Sequence, residues 1–202
     1  MKKSNHIALA SAIALVFGTV GTASAAAIIT NITAAGTGLG SFSFSPDPIT
    51  GHDLDLSKTF DRLEPIKLTF TVGHTTGGGN QYDIAEIIHN NTTVDFTDFH
   101  FSIIEPAQSN GVVFNSFNQS TFAGMTLDKP PSSGPRNLNF TGSLLKGTSA
   151  AAAFTLSPFD PGSGNTYTFD LVQTPTAVPE PGAWALMIAG LLGVAGIARQ
   201  KL

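Results

Sequence analysis

Residues 85–103 read AEIIHNNTTVDFTDFHFSI. In the second half of this stretch, Phe99, Phe101 and Ile103 alternate with Asp98, His100 and Ser102. Side chains of a strand point to opposite faces in turn, so a period of two with one apolar face marks a half-buried β-strand. The first half, as part of residues 83–89, is a second apolar strand, and the Asn-Thr run between them carries turn residues. The stretch therefore predicts two antiparallel strands joined around residues 90–93. That pairing would set His89 and His100 opposite each other, close enough to Glu86 or Asp98 to form a divalent-metal site. The simpler reading of His100 is a solvent-facing residue beside Asp98 and Ser102.

The same alternation recurs on either side. Leu68, Phe70 and Val72 oppose Lys67, Thr69 and Thr71, and Tyr167, Phe169 and Leu171 oppose Thr168 and Asp170. Further strands are predicted at residues 28–33, 41–45, 111–117, 137–145 and 152–157. Gly-, Pro- and Asn-rich turns separate them at residues 77–80, 130–134 and 161–164. No sustained helical stripe occurs between residues 30 and 175. The predicted fold class is all-β, an antiparallel β-sandwich of immunoglobulin-like or jelly-roll-like type. The chain has 15 phenylalanines and a single tryptophan, Trp184, near its end, so the core is expected to rest on phenylalanine.

Both ends read differently from the middle. Lys2 and Lys3 precede an apolar run over residues 7–16, and Ala23, Ser24 and Ala25 form a small-x-small site. This is the pattern of a secretory signal peptide, a helix cut after Ala25, so residues 1–25 are set apart from the fold. The sandwich is assigned to residues 26–173 and a short linker to residues 174–178. The last stretch is a Pro-Glu-Pro triplet (Pro179, Glu180, Pro181), an apolar run that includes Trp184, and a basic end, Arg199 and Lys201. Prolines fix φ and lack a donor, so the triplet lies extended and accessible. The 17 residues 182–198 make a transmembrane helix of roughly 26 Å at about 1.5 Å per residue, the short end of what spans a bilayer. Trp184 suits the membrane interface, and Arg199 and Lys201 favour a cytoplasmic end.

The order of triplet, tryptophan, alanine, glycine-bearing span and basic end over residues 179–202 resembles the PEP-CTERM sorting signal of Gram-negative bacteria, in its PEP-x-x-W-A variant. The resemblance implies recognition and cleavage at Pro179, Glu180 and Pro181 by an exosortase, a membrane-embedded cysteine transpeptidase or protease. Signal peptidase and exosortase are then the processing partners, and the inner membrane is a transient one. The destination is the cell surface or extracellular matrix, in association with extracellular polysaccharide and biofilm. Residues 85–103 likewise resemble a segment of exported sandwich proteins that carry this tail, which implies a fold neighbourhood and no activity.

Composition narrows the function classes. Residues 26–178 hold six basic and thirteen acidic residues, a net charge of −7. An acidic surface lacks the basic footprint that nucleic acid requires. No cysteine is present, so an exported domain of this kind has neither disulfides nor a thiol nucleophile. No serine sits in a G-x-S-x-G elbow, and nothing singles out one carboxylate pair among thirteen acids. The glycine-rich run of residues 36–40 has no P-loop lysine and reads as a flexible turn. Catalytic residues are therefore expected to be none, and the protein is expected to be non-enzymatic, without a cofactor. Asp47, Asp53 and Asp55, read as one acidic loop in SPDPITGHDLDL, are the candidates for a weak calcium site. A secreted glycan- or calcium-binding module is the alternative.

Overall fold

The computed structural model describes residues 25–46, 51–104, 111–118, 122–128, 135–177 and 187. They form eleven strands: β1 (Ala25–Ala35), β2 (Leu39–Pro46), β3 (Asp53–Phe60), β4 (Ile66–Thr76), β5 (Tyr82–Asn90), β6 (Phe96–Ile104), β7 (Phe114–Asn118), β8 (Met125–Leu127), β9 (Asn137–Leu144), β10 (Ser149–Leu156) and β11 (Tyr167–Thr176). One sheet has the order β1-β4-β11-β6-β9-β8 and the other β2-β3-β5-β10-β7. The architecture is all-β and sandwich-like, as the alternation predicts.

The predicted inward residues are the core. Leu68, Phe70 and Val72 of β4, Phe99 and Phe101 of β6, and Phe169 and Leu171 of β11 are fully or almost fully buried. Phenylalanine joins the sheets: Phe60 of β3 meets Phe99 edge to face at 5.7 Å, and Phe101 meets Phe154 of β10 at 5.6 Å. Phe96 is buried as well, three positions before Phe99, because the register shifts between Phe96 and Asp98. An extra residue there returns the same face to the core.

Four expectations change. β5 and β6 are not a hairpin: β5 pairs with β3 and β10, whereas β6 pairs with β11 and β9 in the other sheet. The turn after residue 90 carries the chain from one sheet to the other. The sandwich is also not wholly antiparallel, since β3 and β5 run parallel, with β4 of the opposite sheet as the connection between them. Residues 53–60 are a strand rather than part of an acidic loop, because Leu54, Leu56 and Phe60 give the stretch a buried face. Finally, Thr174, Pro175 and Thr176 belong to β11 and not to a linker, pairing with His100, Phe99 and Asp98. β4 reaches only as far as Gln173, so Pro175 lacks its donor where β11 has a single neighbour.

The glycine-rich run does turn the chain, from β1 into β2, with Leu39 N–H donating to Gly36 O at 3.2 Å. No helix among the described residues is long and apolar enough to cross a membrane. Apart from Ala25, which is a β1 residue, and Met187, the expected signal helix and C-terminal span lie outside the described residues.

Candidate functional site

Strand alternation that buries one face of the five-stranded sheet presents the other to solvent. Register then decides which outward residues meet. Parallel pairing of β3 and β5 sets Asp53 beside Asp83 and Asp55 beside Ala85. Antiparallel pairing of β5 and β10 sets Asp83 beside Thr155 and Ala85 beside Ala153. β7 adds Ser116 next to Thr155 and Asn118 next to Ala153. Two rows thus cross four strands: Asp53, Asp83, Thr155, Ser116, and then Asp55, Ala85, Ala153, Asn118.

The alanines lower the middle of the second row. The result is an open hollow of about 390 Å³, rimmed by the three carboxylates on one side and by Ser116, Asn118 and Thr155 on the other. A second hollow of about 370 Å³ continues along the sheet over Ala85, Ala151 and Ala153, bordered by Ser43, Ser45 and Ser57. Beyond it, His89 Nε2 lies 3.5 Å from Ser57 Oγ, and its Nδ1 lies 2.5 Å from Ser149 Oγ. The face combines carboxylate acceptors with hydroxyl and amide groups that both donate and accept. These groups offer donors and acceptors at close spacing around a floor of small alanine side chains.

Of the calcium candidates, Asp53 and Asp55 stand two residues apart on one face of β3, and Asp83 joins them from β5. Asp47 lies outside the described residues. Among the described residues, no group of three or more His, Cys, Asp or Glu side chains is placed to hold a metal ion. The His89 and His100 pairing is overturned, because the two residues belong to different sheets. His100 is half-exposed, with Nε2 3.0 Å from Asp98 Oδ2 and Nδ1 2.8 Å from Asn139 Oδ1. Ala25 is the first residue of β1 and is followed by the fully buried Ala26 and Ala27. Pro179, Glu180, Pro181, Trp184, Arg199 and Lys201 lie outside the described residues.

The interior holds a polar group that sequence reasoning passed over. Lys58 of β3, Glu86 of β5 and Gln173 of β11 are all buried. Lys58 Nζ is ion-paired with Glu86 Oε1. Gln173 Nε2, from the opposite sheet, donates to Glu86 Oε1 at 3.0 Å and Oε2 at 2.9 Å. Gln173 Oε1 is buried without a hydrogen-bond partner. Burial lowers the Lys58 pKa from 10.5 to about 8, outweighing the opposing pull of Glu86. Phase was the available signal: Leu54, Leu56, Lys58 and Phe60 share one face of β3, and Ile84, Glu86 and Ile88 share one face of β5.

Compared with known proteins, the chain matches no family model, no curated protein and no solved structure.

Proposed function

We propose that this chain is an exported surface or extracellular-matrix protein of a Gram-negative bacterium, sorted by an exosortase and non-enzymatic in role. The single observation behind the sorting is the order of elements at the end of the chain: Pro179, Glu180 and Pro181, then Trp184, an apolar span, and Arg199 with Lys201. The triplet is the cleavage site, the span a transient inner-membrane helix, and residues 1–25 a signal helix removed after Ala25. Buried Ala26 and Ala27 support that boundary, since cleavage there takes only the exposed first residue of β1 and leaves the buried ones to close the edge of its sheet. Repeated passage of the chain from one sheet to the other favours the jelly-roll type of sandwich over the immunoglobulin type.

On arrival, the outer face of the five-stranded sheet is the surface that meets extracellular polysaccharide. Asp55, Asp83, Ser116 and Thr155 bond sugar hydroxyls over the Ala85 and Ala153 floor. Carboxylates at Asp53, Asp55 and Asp83 repel a polyanion, which makes a neutral glycan the matching class. Replacing Pro179, Glu180 and Pro181 by alanine tests the sorting. A full-length form held in the inner membrane is the expected result, and normal processing of that variant would sink the reading.

A further inference from the structure

We propose that the sandwich interior forms a covalent cross-link with itself: Lys58 Nζ displaces ammonia from the side-chain amide of Gln173, with Glu86 carrying the protons. Three polar side chains from three strands and both sheets converge at one buried point. Burying such groups costs several kcal/mol per ion after relaxation, and an apolar trio would fill the same space without that cost. Their arrangement is that of a reaction rather than of packing. Glu86 Oε1 holds the Lys58 amine and, at 3.0 Å, the Gln173 nitrogen that would leave. Gln173 Oε1 has no hydrogen-bond partner, so the amide is held by Glu86 through the nitrogen that would leave.

The surroundings supply what an amine needs to attack an unactivated amide. A nucleophilic lysine must be neutral, and desolvation with its lowered pKa makes the free amine accessible near pH 8. Lys58 Nζ lies 5.8 Å from the centre of the Phe60 ring. Gln173 is flanked on its neighbouring strands by the buried Ile66 and Phe101. Lys58, Glu86 and Gln173 are themselves buried away from bulk solvent, the source of the competing nucleophile. Glu86 holds the amine on one side and the amide nitrogen on the other, and tethering both partners to one carboxylate replaces part of the entropy of a bimolecular encounter.

The step balances without any other reactant. Glu86 takes a proton from the Lys58 ammonium, and the freed lone pair forms the Nζ–Cδ bond while the carbonyl electron pair moves to Oε1. Glu86 delivers its proton to Nε2 and accepts the second proton from Nζ. The electron pair on Oε1 re-forms the carbonyl, the Cδ–Nε2 bond breaks, and ammonia departs with its electron pair. The products are a secondary amide, protonated Glu86 and free ammonia, with no change of oxidation state. The bond ties β3 to the last strand of the opposite sheet. In a chain with no cysteine, it does what a disulfide does in other exported proteins.

Peptide mass mapping of the folded full chain tests this. The expected result is one branched peptide joining the Lys58 and Gln173 segments, lighter than their sum by one ammonia. Glu86→Gln recovered in the folded fraction is expected to lack the branched peptide. Separate, unmodified Lys58 and Gln173 peptides from the folded wild-type chain would overturn the proposal. So would a Lys58–Glu86 link lighter by one water, or persistence of the branched peptide in Glu86→Gln.

Discussion

Phe101 and Phe154 meet edge to face between the two sheets, their ring centroids 5.6 Å apart and their planes at 66°. Phe101 is also ringed by Phe99, Phe114, Phe117, Phe122 and Phe140 at centroid distances of 5.2 to 6.5 Å. A cavity at this centre cannot be refilled by one neighbour without displacing the others. Phe101→Ala is expected to cost about 3–5 kcal/mol, read as a fall in the urea midpoint at unchanged slope.

In chain isolated before any Lys58 bond forms, Lys58 and Glu86 depend on each other because each neutralises the other's buried charge. Lys58→Met alone strands Glu86 and is expected to cost about 3–5 kcal/mol, much of it recovered when Glu86→Gln is added. A double-mutant cycle in urea measures the coupling. In the same chain, pH adds a second signature. The folded state releases the Lys58 proton near pH 8, whereas the unfolded state keeps it to 10.5. The unfolded chain binds more protons between those values, so stability is expected to rise with pH across that window and to be flat in this respect below it.

Gly38 shows how closely the β1–β2 turn seats on its neighbour. A Cβ built there would stand 2.0 Å from Glu64 O and 2.8 Å from Glu64 C, both backbone atoms. Gly38 O meanwhile accepts from Asp61 N–H at 2.9 Å. Gly38→Ala is expected to destabilise by roughly 1–3 kcal/mol, the usual cost of overpacking, whereas Gly79→Ser, which needs no positive φ and whose Cβ would meet nothing nearer than Gln81 N at 3.9 Å, is expected to stay well below that. Thermal unfolding of the two variants makes the comparison.

The strands whose alternation is cleanest were legible: β4, β6 and β11 follow the predicted phase, and their apolar residues are the core. β3 was obscured because Asp53 and Asp55 sit among Pro and Gly residues, which imitates a loop, although Leu54 and Leu56 alternate with them. The false hairpin at residues 90–93 has a different origin. A turn fixes where a strand ends and leaves open which sheet receives the next one, a matter settled by contacts distant in sequence. The same limit hid the hollow, since Asp83 reaches Asp53 only through a parallel pairing. Lys58 and Glu86 were legible by phase, but their meeting with Gln173 needed the packing of the two sheets.

Ala153 lies on the floor of the hollow, between Ala85 and Asn118. Ala153→Trp fills that floor while leaving the buried face of β10 unchanged. Retention on immobilised neutral exopolysaccharide is expected to fall at least about tenfold, on the order of 1.4 kcal/mol, with little change in melting temperature. Asp83→Asn is expected to weaken retention on the neutral glycan less than Ala153→Trp does, and to raise retention on an anionic glycan at low salt, where repulsion is least screened.

The sorting reading rests on where the native chain ends. Intact mass of the protein recovered from fractionated cells and from medium reads both termini at once. The expected mass begins at Ala26 and stops near Pro179, Glu180 and Pro181, in the surface or extracellular fraction. A mass that retains Leu202, found only in the inner membrane, would contradict the account and make the tail a permanent anchor.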